Sequence, residues 1–265
     1  MAEFNKDGLG NILFVAVAVC LVCSVFVSAA NVSLKPQQQR NKELDQKENI
    51  LRAAGLLEAG KSVGNDGRGV DELFADFTVK AVDLDTGRYL TDFDTKGYDG
   101  VRMAKDPAHS RDLAEEEDTA TIGRRENVSL VYVMEGEHGL EKLVLPVRGY
   151  GLWGTLYGYL AIDGDLETVS GLGFYDQKET PGLGGEVDNP KWKAKWPGVK
   201  LFDASGNPVV RLVKSPSPEG SPGKVHEVDA LSGASFTSRG VQNLVNFWTG
   251  ELGFGPFIAN LKSAS

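Results

Sequence analysis

Nineteen consecutive residues near the N-terminus, 12–30 (ILFVAVAVCLVCSVFVSAA), carry no charge, and the uncharged run extends from Gly8 to Leu34. A helix of about 20 apolar residues crosses about 30 Å of hydrocarbon, and a segment this long finds no comparable use on a water-facing surface. A cleaved signal peptide is the other explanation, and Val27-Ser28-Ala29 has the small residues of a cleavage site. Against it, the apolar core exceeds the usual ~7–15 residues, and the leader holds Glu3 and Asp7 beside a single lysine, Lys6. Residues 1–34 are therefore read as a retained transmembrane anchor. Its orientation is poorly constrained: Lys35, Arg40 and Lys42 after the span mildly favour a cytoplasmic C-terminal part, yet long domains translocate largely regardless of charge. The only cysteines, Cys20 and Cys23, lie inside the run, where they read as small apolar side chains rather than a zinc or redox pair. Outside the anchor the chain has neither disulfides nor thiol chemistry.

Beyond the anchor the composition is that of a globular protein. A formal charge of −9 and a pI near 5.0 exclude a nucleic-acid face and an anionic lipid surface, both of which need basic residues. Residues 37–57, rich in Gln, Lys and Glu, read as a helix interrupted by Gly55 and ended by Gly60, before a Gly/Asn/Asp linker over 61–69. A short amphipathic piece (70–77) leads to a hairpin, 78–84 and 88–90. Residues 95–121, with the acidic run 115–118, lack a clear period and are expected to be a solvated, partly helical insertion. From Asn127 onward β-rich segments come in close succession: 128–134 and 140–147 joined by 135–139, then 155–163 and 168–175. A loop over 176–189, a short helix at 191–195, and strands at 208–213 and 225–228 around a Pro/Ser/Gly loop complete the pattern. The expected fold class is α+β, an antiparallel sheet with flanking helices behind one transmembrane helix, divided as 1–34, 35–126 and 127–265. No parallel βαβ rhythm suggests a doubly wound nucleotide-binding fold.

The most chemically suggestive stretch is Asp229-Ala-Leu-Ser232-Gly233-Ala234-Ser235-Phe236-Thr237-Ser238. After Ser238, apolar residues at Val241, Leu244, Val245 and Trp248 fall at helical spacing, so this segment is expected just before a helix. Unpaired N–H groups and the positive end of the dipole gather there and favour a phosphate. The hydroxyls of Ser232, Ser235 and Thr237 surround two residues almost without side chains, which lets a bulky group approach. The plainer alternative is a serine cap opening a surface helix.

Ser-Gly-Ala-Ser resembles the acceptor motif of FMN-binding domains, usually Ser/Thr-Gly-Ala-Thr, whose last residue is esterified to FMN phosphate. The resemblance implies covalent FMN on Ser235, where threonine is commoner, and leaves Thr237 as an alternative. Residues 149–184 supply a second motif in the family's order, Glu179-Thr180-Pro181-Gly182-Leu183-Gly184, some fifty residues ahead of the first. Pro181 and its neighbouring glycines would fix a turn with exposed N–H groups. Glu179 and Thr180 would meet polar edges of the ring, and Leu183 and Trp153 would pack on its face. Taken singly, these could be a rigid inter-strand turn and a core tryptophan; together they favour a flavin site. The cofactor-binding set is thus Ser235, Thr237, Ser232, Gly233, Ala234, Glu179, Thr180, Gly182, Leu183, Gly184 and Trp153, with no catalytic or metal residues.

Three longer stretches, residues 174–192, 145–153 and 250–257 (GELGFGPF), together with the anchor, resemble the family of C subunits of bacterial Na⁺-translocating NADH:quinone reductases. The family of G subunits of a related ion-translocating electron-transport complex shares the anchor and flavin domain but lacks an insertion like 95–121. The first resemblance implies an electron relay through covalent FMN within a six-subunit membrane complex that oxidises NADH, reduces ubiquinone and exports Na⁺. The chain itself would bind neither NADH nor quinone. The resemblance also implies maturation by a Mg²⁺-dependent FAD:protein FMN transferase, with Asp229 in its recognition motif, and a periplasmic domain on a single-pass anchor in the bacterial inner membrane. Asp229 is equally readable as an acid near a helix N-terminus. His109, His138 and His226 have no ligand spacing and are expected at the surface. A membrane-anchored flavin sensor without turnover and an unmodified structural protein of such a complex are the other readings.

Overall fold

Helix α1 (Leu9–Ala53) joins the two expected N-terminal segments into one, continuing through Pro36. The computed structural model describes residues 8–137 and 139–264, so Glu3, Lys6 and Asp7 of the leader and His138 lie outside the described residues. Packing divides the chain into two units, Met1–Gln46 and Lys47–Ser265. In the first unit, Leu13, Phe14, Val17, Leu21, Val25 and Phe26 are all more than half exposed, so the helix shows apolar surface on several sides. It is long and apolar enough to cross a membrane and fits a membrane anchor. Two of its serine hydroxyls are satisfied within the helix, as hydrocarbon favours: Ser24 Oγ donates to the Cys20 carbonyl at 2.7 Å and Ser33 Oγ to that of Ala29 at 2.8 Å.

The helix ends at Gly55, whose φ of 75° only glycine adopts without strain. There the Leu56 N–H bonds the Leu51 carbonyl (2.9 Å) and the Gly55 N–H that of Arg52 (3.1 Å), closing the open carbonyls of the last turn.

The second unit is built on a six-stranded sheet in which every pairing is antiparallel. After α2 (Val70–Phe74) come β1 (Phe77–Asp83) and β2 (Arg88–Leu90), the expected hairpin. The insertion contributes α3 (Gly100–Ala104) and β3 (Ser110–Asp112), and β4 (Arg124–Glu126) follows it. Next are β5 (Val128–Gly136), β6 (Gly139–Tyr150), β7 (Thr155–Asp163) and β8 (Val169–Asp176). Spatial order is β2-β1-β5-β6-β7-β8, so strands from both sides of residue 126 share one sheet. A short helix α4 (Pro190–Lys193), strands β9 (Arg211–Val213) and β10 (Glu227–Asp229), and helices α5 (Ser235–Thr249) and α6 (Gly255–Ala264) complete the unit.

Alternation along the strands buries both faces. Leu143, Leu145 and Val147 of β6 join Val241, Leu244, Val245 and Trp248 of α5 and Phe257 and Ile258 of α6 in the larger core. Val144, Tyr132 and Tyr159 take the other face, against Ile50, Leu51, Leu57 and Leu73. Each such aliphatic burial is worth about 1.5–3 kcal/mol. The backbones meet closely where α5 crosses β6: a Cβ on Gly149 would lie 2.8 Å from Leu244 Cβ, and one on Gly240 only 2.3 Å from the Tyr150 carbonyl. The start of α5 is thereby pinned to the end of β6.

Several sequence expectations change. β6 continues to Tyr150, beyond the expected end at 147, because its hydrogen bonds to β7 persist through Gly149. β9 and β10 pair in parallel, a small exception to the antiparallel pattern. The GELGFGPF stretch opens α6, which sequence periodicity did not reveal. The insertion is largely solvated and partly helical, as expected, but it is docked at its end: Ala120 is buried, its carbonyl accepts the Tyr150 N–H at 2.8 Å, and Leu113 packs against the core. Within the acidic run, Glu115 and Glu116 are exposed, whereas Asp118 accepts the N–H groups of Ile122 (2.8 Å) and Gly123 (2.7 Å).

Candidate functional site

Both sequence motifs meet at one carboxylate. Glu179 is only 5% exposed, and its Oε1 accepts the backbone N–H groups of Leu152 and Trp153, each at 2.9 Å. Its Oε2 accepts the Thr237 hydroxyl in a short hydrogen bond. One side chain thus fastens three segments: the glycine loop after β6, the 179–184 turn, and the first turn of α5. The packing leaves no space for another atom, since a Cβ on Gly184 would lie 2.5 Å from both Glu179 Oε2 and Thr237 Oγ1.

Helix α5 begins at Ser235, four residues earlier than its apolar spacing suggested, so Ser235–Ser238 lie in its first turn rather than before it. Its cap position is Ala234, and no side chain caps it, which removes the serine-cap reading. Ser238 holds the approach instead: its buried hydroxyl donates to the Ala234 carbonyl (2.9 Å) and accepts the Leu231 N–H (3.0 Å). Gly233, at φ 72°, makes the bend that presents this end of the helix.

The two candidate acceptors differ sharply. Ser235 is exposed at the positive end of a 15-residue helix, whereas Thr237 is 0% exposed with its hydroxyl engaged by Glu179. Ser232 and Gly233 are exposed beside Ser235, and Ala234 is buried beneath them.

The turn Thr180-Pro181-Gly182-Leu183 closes with the Leu183 and Gly185 N–H groups donating to the Thr180 carbonyl at 3.1 and 2.9 Å, and Gly182 at φ 76°. Those two N–H groups, expected to face a ligand, are spent inside the turn. Thr180 and Leu183 are exposed while Gly184 is buried. Leu183 reaches across to Gly233, where a Cβ would lie 3.1 Å from its Cδ2.

Trp153 is not a core aromatic: it is 65% exposed, and Phe236, next to Ser235, is 64% exposed. Leu183 is exposed as well, so each of the three segments joined through Glu179 carries an exposed apolar side chain, a setting that suits a flat heterocycle whose phosphate sits at a helix N-terminus. Phe236, Ser238 and the bracing role of Glu179 escaped the sequence reading. An aromatic beside the acceptor hydroxyl was the signal available for Phe236. Glu179, expected against a ring edge, has both oxygens engaged by the protein's own donors and serves as a brace.

Other expected residues lie elsewhere. Asp229 ends β10, where its carboxylate pairs with Lys195 and its carbonyl accepts the Trp192 indole N–H at 2.9 Å. His109 is exposed and pairs with Asp106 at 2.9 Å; half-buried His226 bonds the Lys200 carbonyl through Nδ1 at 2.8 Å. Among the described residues no group of His, Cys, Asp and Glu could hold a metal ion.

A family model described as an FMN-binding domain matches residues 151–250, the span from the glycine loop to the end of α5. The C subunit of the Na⁺-translocating NADH-quinone reductase of Pseudomonas aeruginosa is 51% identical over 259 residues, covering 97% of this chain and 98% of its own length. Its counterpart of the same name from Vibrio anguillarum is 43% identical over 259 residues, covering 97% of each. Among solved structures, the crystal structure of Shewanella oneidensis NqrC aligns with a TM-score of 0.73 at 36% identity, covering 84% of this chain and 99% of that one.

Proposed function

The chain belongs to the NqrC family, the C subunits of Na⁺-translocating NADH-quinone reductases, and we propose that it carries FMN as a phosphoester on Ser235 and relays electrons within the complex. It is a subunit of an oxidoreductase complex and contains an FMN-binding domain. When bound, FMN supplies the electron-transfer chemistry; the protein supplies attachment, orientation and electrostatic setting.

Each of those tasks has a residue. The Ser235 hydroxyl is the attachment point, and the uncapped N-terminus of α5 stabilises the phosphate it would carry. Ser232 and Thr180 offer exposed hydroxyls to the polar parts of the cofactor, and Gly233 and Ala234 keep side chains out of its way. Trp153, Leu183 and Phe236 are the exposed apolar side chains that would flank the ring. Gly182 and Gly184 let the turn close on Glu179, which locks the glycine loop to α5. A covalent link suits a relay, because a carrier that dissociates interrupts electron flow.

The assembly is proposed to have six subunits and to reduce ubiquinone. The flavin would be installed by a Mg²⁺-dependent FAD:protein FMN transferase that recognises the segment from Asp229. The domain would stand on the periplasmic side of the bacterial inner membrane, anchored by α1.

The observation that carries the acceptor assignment is the contrast between exposed Ser235 and fully buried, already bonded Thr237. Intact mass of the full chain co-expressed with the transferase tests it. The expected result is a gain of one FMN phosphoester in the wild type and in Thr237→Val, absent in Ser235→Ala. Loss only in Thr237→Val would move the attachment by two residues. No gain in any variant would refute covalent flavin.

A further inference from the structure

Among the described residues two acidic residues, Glu126 and Glu179, are buried as whole residues, and they are held in different ways. Glu126 has a cation, Arg148, at 2.6 Å. Glu179 forms no ion pair with the described residues; its partners are the N–H groups of Leu152 and Trp153 and the hydroxyl of Thr237. Neutral donors stabilise a carboxylate without cancelling its charge. Two N–H groups donate to one of its oxygens and an O–H group to the other.

The surroundings bring this charge close to the site. Gly151 and Gly184 press their backbones against the carboxylate: a Cβ on either would lie 2.6 Å or less from one of its oxygens (2.6 Å from Oε1, 2.5 Å from Oε2). The N–H groups that hold Oε1 belong to the loop that carries the exposed Trp153 side chain. Thr237, on Oε2, is two residues after Ser235 in the same helical turn. Charge, ring-flanking loop and attachment helix are therefore joined through one carboxylate.

We infer that Glu179 is a resident negative charge that lowers the reduction potential of the flavin, an inference that rests on attachment at Ser235. Electrons arriving on the ring add negative charge, and a fixed anion in a poorly screened interior raises the free energy of the reduced form. Glu179 is a positioning and tuning residue here: it touches protein donors, and its effect on the flavin acts through space.

Redox titration of the flavinylated full chain in detergent, wild type against Glu179→Gln, is the test. Glutamine keeps an oxygen for the Leu152 and Trp153 N–H groups and places an amide against the Thr237 hydroxyl, so the brace survives while the charge goes. The potential is expected to move positive, raising the reduced-to-oxidised ratio at fixed ambient potential roughly tenfold or more for charges within several ångströms. The shift should persist at high ionic strength, because a buried charge is little screened. A flavinylated Glu179→Gln protein with an unchanged or more negative potential would overturn the inference.

Intact mass, measured first, separates the two levels. A wild type without flavin refutes the attachment reading, whereas attached flavin with an unmoved potential refutes only the charge. Should Glu179→Gln not take up flavin, the redox difference infrared spectrum of the wild type decides. A carboxylate stretch that responds to reduction supports the fixed charge, and a protonated-carboxyl band in its place overturns it.

Discussion

Gly184→Ala is a one-methyl change whose sign discriminates between a locked brace and an adaptable loop. The added Cβ would stand 2.5 Å from Glu179 Oε2 and 2.5 Å from Thr237 Oγ1, jammed against both partners of a buried hydrogen bond. The bond must lengthen or break, and the backbone on either side is already in contact. Overpacking costs about 1–3 kcal/mol, and weakening a hydrogen bond to a charged group about 1.5–3 kcal/mol, so a net loss of about 3 kcal/mol is expected. Gly184 lacks a positive φ, so a free loop would instead gain about 0.4–1 kcal/mol from the stiffer unfolded chain. For a domain of this size about 3 kcal/mol corresponds to a Tm lowered by roughly 6–12 °C. Circular dichroism melts of the full chain in detergent measure it. An unchanged or raised Tm would refute the view that Glu179 and Thr237 clamp the site in a single geometry.

Two further outcomes concern buried groups outside the clamp. Arg148→Met strands Glu126 without its cation and should cost about 3–5 kcal/mol in denaturant unfolding, while Glu126→Leu combined with Arg148→Met should cost clearly less; a double variant as damaged as the single one would contradict this. Burial, followed by the nearby charges of Glu126 and Asp99, pushes the Tyr98 phenol up to about 12 from 10.0, with Arg148 opposing. The unfolded chain then releases this proton first, so Tyr98 removes stability as pH rises from about 10 to about 12. Tyr98→Phe should flatten that alkaline loss, which pH-dependent unfolding would show.

The sequence is most readable where one interaction dominates. Residues 12–30 have no alternative to a long apolar helix, and the alternating segment 155–163 is a strand with its expected bounds. The two motifs are also legible, because Pro181, Gly182 and Gly233 have conformational preferences that act locally. Local signals fail at the junctions. Small polar residues are poor helix formers, so Ser235–Ser238 read as lying before α5; the Ser238 clamp and the contact of Gly240 with Tyr150 draw them into its first turn. The docked end of the insertion is not legible because its apolar residues, among them Leu113 and Ala120, are few and show no period.

A membrane-length helix, an antiparallel α+β body and two glycine-punctuated motifs in a fixed order are written into the amino-acid order. Composition, period and backbone preference set them, and all three act over a few residues. Which hydroxyl is available, and the task of Glu179, emerge only once the chain is packed. Ser235 and Thr237 are chemically alike and two positions apart, and their difference comes from a carboxylate 58 residues before Thr237. Burial and hydrogen-bond partners are properties of the packed chain, and no local pattern in the sequence encodes them.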